Sequence, residues 1–248
     1  INGVFPICFK ILKLSMFFKY MKKISLSIII LFFFSFKASS HVGHYKDFKY
    51  LEYELFRNNK LIGYHKYDFL RKDNILAVKS EVNFKITKLG VDLYRYFAES
   101  EEIYKADKFF KFSSTTNQNK KKKYVNISVN PTSNKWIIDG SSYKGSASID
   151  STVGTWWNHE IVKAKRQISA ISGRIIEQTV TFVGKEEIKV GDSTYNALHF
   201  NFRSSDESLP DSKKLNTDIW YDENTLLWLK AAFDKSGYWE YRLKEYKK

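Results

Sequence analysis

Residues 76–87 read Leu-Ala-Val-Lys-Ser-Glu-Val-Asn-Phe-Lys-Ile-Thr and decide the fold class. Apolar or small side chains stand at every second position from Leu76 to Ile86, and mostly charged or polar side chains stand between them. A period of two residues is typical of a β-strand with one buried face. A strand of this length exceeds the usual five or six residues and suits a strongly bent sheet that covers its own inner face.

Comparable segments follow one another along the chain, separated by short turn sequences such as Asn58-Asn59 and Leu89-Gly90. Asn and Gly tolerate the positive φ that tight hairpin turns require. The pattern predicts one all-β domain over residues 41–248, a single curved antiparallel sheet forming a half-barrel or barrel. It also predicts a hairpin turn at Gly184-Lys185 and a long loop from Gly140 to Thr152.

The alternation stops at residues 154–160, Gly-Thr-Trp-Trp-Asn-His-Glu. This stretch predicts a short helix around residues 155–170 that plugs the sheet. Trp156 and Trp157 either pack in the core or line a ligand cavity, where an indole supplies apolar area and one hydrogen-bond donor. Asn158 and His159 are predicted to cap the helix start or to satisfy buried backbone groups, and both are candidate ligand contacts.

Catalytic and metal-binding motifs are scarce. His159 lies four residues before Lys163, whereas a zinc-protease helix needs a second His at that spacing. The sequence has no Gly-rich phosphate loop and no Gly-x-Ser-x-Gly nucleophile motif. We therefore predict no catalytic residue, no metal ligand and no cofactor.

A second group of candidate ligand contacts lies towards the end of the chain. His199 and Arg203 share one face of a predicted strand, and Asp218 and Trp220 share one face of the next. If the two faces coincide, these side chains form a polar patch suited to an anionic headgroup or a sugar. The solvated outside of a sheet would show the same alternation, so both interpretations stay open.

The first forty residues predict export. Met21-Lys22-Lys23, the apolar run Ile24 to Phe36 and Ala38-Ser39-Ser40 have the order of a secretory signal peptide, cleaved before His41. A retained anchor helix is the alternative. Residues 1–20 are interpreted as upstream translated sequence. They contain the single cysteine of the chain, so the exported part would form no disulfide.

The full chain has a formal charge of +14, and residues 1–40 contain six Lys and no acidic residue. The exported part would thus carry 35 basic and 27 acidic residues, a net charge of +8. Such a surplus attracts anionic surfaces such as lipid headgroups. Nucleic acid is an improbable partner for an exported protein. The densest basic cluster, Lys120–Lys123, is either a solvated hairpin tip or a phosphate-binding site.

Several motifs, weak singly and informative in their order, resemble a bacterial family of exported β-proteins of unknown function. That family is similar in shape to the LolA/LolB-type lipoprotein carriers of the periplasm. The motifs are Tyr53-x-Leu55-x-Arg57-Asn58-x-x-x-Ile62-Gly63, Thr155-x-Trp157-Asn158, Gly191-Asp192-x-x-Tyr195-x-Ala197-x-His199 and Asp218-Ile219-Trp220-Tyr221-Asp222-x-x-x-x-Leu227. The resemblance implies a concave apolar sheet plugged by a helix and no catalytic residue.

The function that we expect is a soluble periplasmic binding or carrier module for an apolar or amphipathic ligand, such as a lipid or an acyl chain. The alternative is a non-enzymatic envelope module that binds a protein partner or an anionic membrane surface. A hydrolase using His159 or His199 is the third hypothesis. A cavity inside the sheet would favour ligand binding, and a filled interior would favour the envelope module.

Overall fold

The computed structural model describes residues 41–130 and 132–248. The predicted signal peptide, Met21 to Ser40, and the upstream segment 1–20 lie outside the described residues, so both stay predictions. Fifteen strands form in the described part of the chain: β1 (Tyr50–Arg57), β2 (Lys60–Lys72), β3 (Ile75–Lys88), β4 (Val91–Lys105), β5 (Lys108–Gln118), β6 (Lys121–Asn130), β7 (Lys135–Gly140), β8 (Lys144–Ser148), β9 (Ser151–Val153), β10 (Arg166–Ile168), β11 (Ile175–Val190), β12 (Ser193–Ser204), β13 (Asn216–Asp222), β14 (Trp228–Asp234) and β15 (Tyr238–Lys247).

All fifteen strands belong to one sheet, in the order β8-β7-β6-β5-β4-β3-β2-β1-β15-β14-β13-β12-β11-β10-β9. Strands adjacent in sequence are therefore adjacent in the sheet, except β8 and β9, and β1 and β15 pair antiparallel in the middle of the sheet. The two edge strands, β8 and β9, are consecutive in sequence and separated only by Ile149 and Asp150. The sheet is thus a nearly closed barrel, which confirms the predicted all-β fold.

Hairpin geometry follows the turn residues. Asn58 and Asn59 have φ of 49° and 61°, the left-handed values that a two-residue hairpin turn needs. Gly63 on β2 serves another purpose, because a Cβ there would lie 2.1 Å from the carbonyl oxygen of Asn83 on β3. Only a glycine, which has no Cβ, lets the backbones of β2 and β3 lie so close together at this position.

The inner face of the barrel is rich in aromatic side chains. Tyr53 and Trp228 are fully buried and stack with their ring centroids 4.0 Å apart. Strand β3 contributes three buried apolar side chains to this interior, Leu76, Val78 and Phe84. The period of two in residues 76–87 therefore identified the buried face correctly.

The predicted helical plug takes a different form. Helical structure in the described residues is limited to three short 3₁₀ helices, at His41–Tyr45, His159–Lys163 and Asp211–Lys213. Residues 166–168 form strand β10, which pairs parallel with β9. The hydrogen bonds from Ile161 N to Asn158 O and from Ala164 N to Ile161 O span three residues, as in a 3₁₀ turn. Side-chain contacts with the barrel hold this segment in place, so a longer helix is not required.

Two further predictions were wrong. Residues 175–190 form the single strand β11, and Gly184 lies at a β-bulge where the register with β12 shifts, not at a hairpin turn. A glycine with a polar neighbour is compatible with either structure, and here pairing with β12 continues on both sides of it. The expected loop at 140–152 contains strands β8 and β9. Within residues 41–130 and 132–248, no helix has the length and apolar character needed to cross a bilayer.

Candidate functional site

The segment that interrupts the strands, residues 154–164, is inserted into the barrel and is called the inserted segment below. Hydrogen bonds in both directions join it to the barrel strands. Tyr221 on β13 donates to the carbonyl oxygen of Trp156 at 2.9 Å, and Gln178 on β11 donates to the carbonyl oxygens of Ile161 and Ala164 at 3.1 and 2.9 Å. In the other direction, the indole of Trp157 donates a hydrogen bond to the buried carboxyl group of Glu102.

Trp157 is fully buried and anchors the inserted segment. Its Nε1 donates to Oε1 of Glu102 on β4 at 2.9 Å. The rings of Tyr45, Phe69 and Tyr104 meet the indole nearly at right angles, with centroid distances of 5.2, 5.3 and 5.9 Å. Edge-to-face contacts of this kind add stability beyond the buried area. Trp157 is thus a core residue, the first of the two alternatives predicted for it.

Glu102 lies on the inner face of the barrel and is 2% exposed. Its second oxygen accepts a hydrogen bond from Tyr104 at 2.8 Å, and among the described residues no cation lies within ion-pair distance of it. Burial raises the pKa of the Glu102 carboxyl, while the hydrogen bonds from Trp157, Thr155 and Tyr104 act in the opposite direction. A carboxyl held by neutral donors alone makes the fold sensitive to pH.

Asn158 and His159 complete the inserted segment. The Asn158 side chain accepts a hydrogen bond from the Glu160 backbone at 3.1 Å, which caps the 3₁₀ helix as the sequence predicted. Its amide nitrogen also donates to the Tyr104 hydroxyl at 3.3 Å. His159 is buried against the ring of His44, with a centroid distance of 5.1 Å.

Trp156 faces a cavity inside the barrel. The cavity has a volume of about 170 Å³ and lies between the inserted segment, the Ala170-Ile171 turn and the inner faces of β2, β3, β4, β5 and β15. Aromatic and hydroxyl side chains form its wall, and we call it the interior cavity. The side chains that line it include His65, Tyr67, Ser80, Tyr96, Ser100, Ser114, Thr116, Thr155, Trp156 and Tyr241.

A row of hydroxyl groups crosses the wall of the interior cavity. Ser80 pairs with Ser100 across β3 and β4, and Ser100 pairs with Ser114 across β4 and β5. The Ser80 and Ser100 hydroxyl oxygens lie 3.0 Å apart, and Ser114 donates to the carbonyl oxygen of Ala170. Three polar side chains at one level of an apolar wall give a ligand a fixed set of hydrogen-bond partners.

His65 stands at the β2 end of this row. Its Nε2 lies 3.4 Å from the Ser80 hydroxyl, and its Nδ1 has no hydrogen-bond partner within the described part of the chain. Burial lowers the pKa of His65 to about 3, so the ring is neutral at pH 7. A base with so low a pKa is a poor proton acceptor, which makes a Ser80–His65 hydrolytic pair unfavourable.

The second predicted group lies on the outer face of the barrel. His199 Nε2 and the Asn201 amide both lie 2.9 Å from Asp218 Oδ1, and the His199 ring stacks on Trp220 at 4.3 Å. The two strand faces therefore coincide. Arg203 is exposed further along the same strand.

Glu186, which was not among the residues predicted from the sequence, completes this outer cluster. Its Oε1 lies 3.0 Å from His199 Nδ1 and accepts a hydrogen bond from the Trp220 indole. The ring of Trp220 is covered by His199 on one side and lies near the ammonium group of Lys230. The polar groups of this cluster therefore already have partners within the protein. Among the described residues, no three His, Cys, Asp or Glu side chains have an arrangement that could hold a metal ion.

The eight candidate residues thus divide between two places. Trp156 alone lines the interior cavity, Trp157, Asn158 and His159 secure the inserted segment, and the other four belong to the outer face. The inner-face polar residues His65, Ser80, Ser100, Ser114 and Glu102 were not among the candidates. The signal for them was a polar residue at an inward position of an otherwise apolar strand face.

The fold and the cavity together define a class: a barrel-like β-protein whose interior holds the inserted segment and a small cavity lined by aromatic and hydroxyl side chains. The chain belongs to the family described as Domain of unknown function (DUF6134), whose model matches residues 53–244. This agrees with the resemblance to a β-family of unknown function. No curated protein matches the sequence.

Seven chains of solved structures match the fold. One is the crystal structure of a beta-barrel-like protein of domain of unknown function DUF1849 from Brucella abortus. The TM-score is 0.56 at 11% sequence identity, and the match covers 80% of this chain and 96% of that chain. At this identity the similarity extends to the fold and not to function.

Proposed function

We propose that this protein binds a small amphipathic molecule in the interior cavity. The main support is the row of hydroxyl groups Ser80, Ser100 and Ser114, which faces the cavity. Aromatic rings, those of Tyr96, Trp156 and Tyr241, form other parts of the cavity wall. An apolar part of the ligand would contact the rings, and a polar end would bind the hydroxyl row.

The size of the cavity limits the ligand. Drug-sized ligands occupy pockets of about 300–1,000 Å³, whereas an apolar cavity of about 150 Å³ accommodates a benzene ring. At about 170 Å³ the interior cavity suits a single ring or a short chain with a polar end. A whole phospholipid would require the inserted segment to move away. The lipid or acyl ligand expected from the sequence is therefore narrowed to a short amphipathic molecule or one end of a longer chain.

The alternative, a purely structural envelope module, would have a filled interior. An unfilled space with hydroxyl groups costs stability, because each inward Ser replaces an apolar side chain that would pack there. A protein selected only for rigidity gains nothing from it. The cavity therefore favours ligand binding over the structural role, and a hydrolase is the least supported candidate because neither His159 nor His199 lines the interior cavity.

Native mass spectrometry of the full chain purified from its host tests this proposal. We expect a small molecule to accompany the wild-type protein. Ser100→Leu fills the cavity and should abolish the adduct. The matched control is Ser113→Leu, which makes the same change on the outer face of the adjacent strand and should keep the adduct.

Far-ultraviolet circular dichroism establishes that both variants fold. A wild-type protein that never carries a small molecule would refute the proposal. Equal adduct levels in wild type and Ser100→Leu would also refute it, because the ligand would then bind elsewhere.

A further inference from the structure

The β3–β4 hairpin ends in an exposed apolar tip. Leu89 is 95% exposed, and Val91 and Leu93 beside it are 62% and 56% exposed. Leu89 also has φ of 51°, in the left-handed region that a branched, bulky side chain rarely adopts. Asn or Gly would relieve the strain and the apolar exposure together. A leucine that is unfavourable on both counts indicates a use outside the folded monomer.

The tip is surrounded by positive charge. Its neighbour is the β5–β6 hairpin, whose turn is Asn119-Lys120. Asn119 joins the hairpins beyond the β4–β5 pairing: Arg95 N donates to its side chain at 2.7 Å, and Asn119 N donates to the carbonyl oxygen of Arg95 at 2.9 Å. The apolar tip and the lysine-rich turn therefore occupy one end of the barrel side by side.

The charge on these two hairpins is strongly asymmetric. Residues 83–97 and 117–123 contain seven Lys and Arg residues and one acidic residue, Asp92. Asp92 is paired with Arg95 at 2.6 Å. Among the described residues, Lys88, Lys120 and Lys122 have no carboxylate within ion-pair distance, so their charge faces solvent.

We propose that this end of the barrel docks on an anionic lipid surface. The exposed tip Leu89, Val91 and Leu93 enters the apolar boundary of the bilayer, and the surrounding cations contact the headgroups. Apolar side chains flanked by Lys and Arg are the combination that binds anionic bilayers peripherally, because burial and electrostatic attraction add. A protein partner would not favour a strained, fully exposed leucine at the extreme tip over a flat apolar patch.

Vesicle cosedimentation of the full chain measures the docking. We expect binding to vesicles of phosphatidylglycerol and phosphatidylethanolamine in equal parts and weaker binding to phosphatidylcholine alone. Leu89→Asn with Leu93→Asn should lower the partition at least about ten-fold, since two apolar side chains lose their burial. Lys88→Gln, Lys120→Gln and Lys122→Gln should each lower it about five-fold.

Matched controls lie at the opposite end of the barrel. Leu70 is 51% exposed on β2, and Lys108 and Lys111 are exposed on β5. Leu70→Asn and the pair Lys108→Gln, Lys111→Gln should leave binding unchanged. Equal losses in these controls, or equal binding to neutral vesicles, would overturn the proposal.

A site-specific readout separates this end of the barrel from other membrane contacts, including any made by the apolar residues 24–36 that every variant retains. Leu89→Trp should be quenched by brominated acyl chains, and Leu70→Trp should not. The six native Trp residues contribute the same background to both. If Leu89→Trp binds vesicles without quenching, the tip does not enter the bilayer and the proposal fails.

Discussion

Two buried tryptophans allow a direct test of the contact that anchors the inserted segment. Trp157 and Trp228 are both fully buried in the same core. The Trp157 indole donates to Glu102, whereas the Trp228 indole nitrogen has no hydrogen-bond partner in the described part of the chain. Replacing each with Phe makes the same chemical change in two different hydrogen-bonding environments.

The expected costs differ by the hydrogen bond. Reducing an indole to a phenyl ring loses apolar contact worth on the order of 1 kcal/mol at either position. Removing one partner of a buried hydrogen bond leaves the other partner unsatisfied, at a cost of about 1–3 kcal/mol. We therefore expect Trp157→Phe to lower the free energy of unfolding by roughly 3 kcal/mol and Trp228→Phe by roughly 1 kcal/mol.

Urea unfolding followed by fluorescence measures both values. If the slope of the free energy of unfolding against urea concentration is unchanged, each variant unfolds from the same folded state. The reasoning is refuted if Trp228→Phe costs as much as Trp157→Phe. It is also refuted if Glu102→Leu, which removes the acceptor, leaves the cost of Trp157→Phe unchanged, since the hydrogen bond would then be irrelevant.

Three further outcomes are expected. The pKa of Glu102 is raised, so the folded state holds its proton to higher pH than the unfolded chain does, and the free energy of unfolding falls as pH rises above about 4.5. Glu102→Gln should remove this pH dependence, which is at most about 1.4 kcal/mol per pH unit. Urea unfolding at a series of pH values measures it. The pKa of His65, lowered to about 3, has the opposite consequence. The free energy of unfolding falls as pH decreases from about 6.5, and His65→Gln should reduce this decrease in the same measurements. An unchanged decrease would contradict the burial of the ring. Gly63→Ala should cost about 3 kcal/mol or more in thermal unfolding because its Cβ would clash with β3, whereas Gly43→Ala, with no atom within 4 Å, should be nearly neutral.

Much of the fold could be predicted because one-sided strands have a simple period. Residues 76–87 identified the buried face, and Asn58-Asn59 identified a hairpin turn, since both depend on local rules. Strand β11 was divided wrongly because Gly184 marks a bulge as readily as a turn. Only the continuous pairing with β12 distinguishes the two, and pairing between distant strands is not visible in one sequence.

The candidate site was predicted less well, for a related reason. Alternation places Ser80 and Ser100 on inward faces, but their alignment into one row depends on the register of three strands. Glu102 is inward by the same alternation, yet a carboxylate is ordinarily expected to face water. His199 and Asp218 were grouped only on the condition that their strand faces coincide, because that too depends on the register of the two strands.

The pairing of β1 with β15 has a consequence for how this protein reaches its folded state. The partners Tyr50 and Lys247 are almost two hundred residues apart in sequence. A contact so distant closes a very large loop, and such closures slow folding. During synthesis β1 has one bare edge until the last strand emerges, so the barrel cannot be completed on a partial chain. Assembly must wait for the whole polypeptide, and until then an unfinished sheet edge stays open to any neighbouring strand.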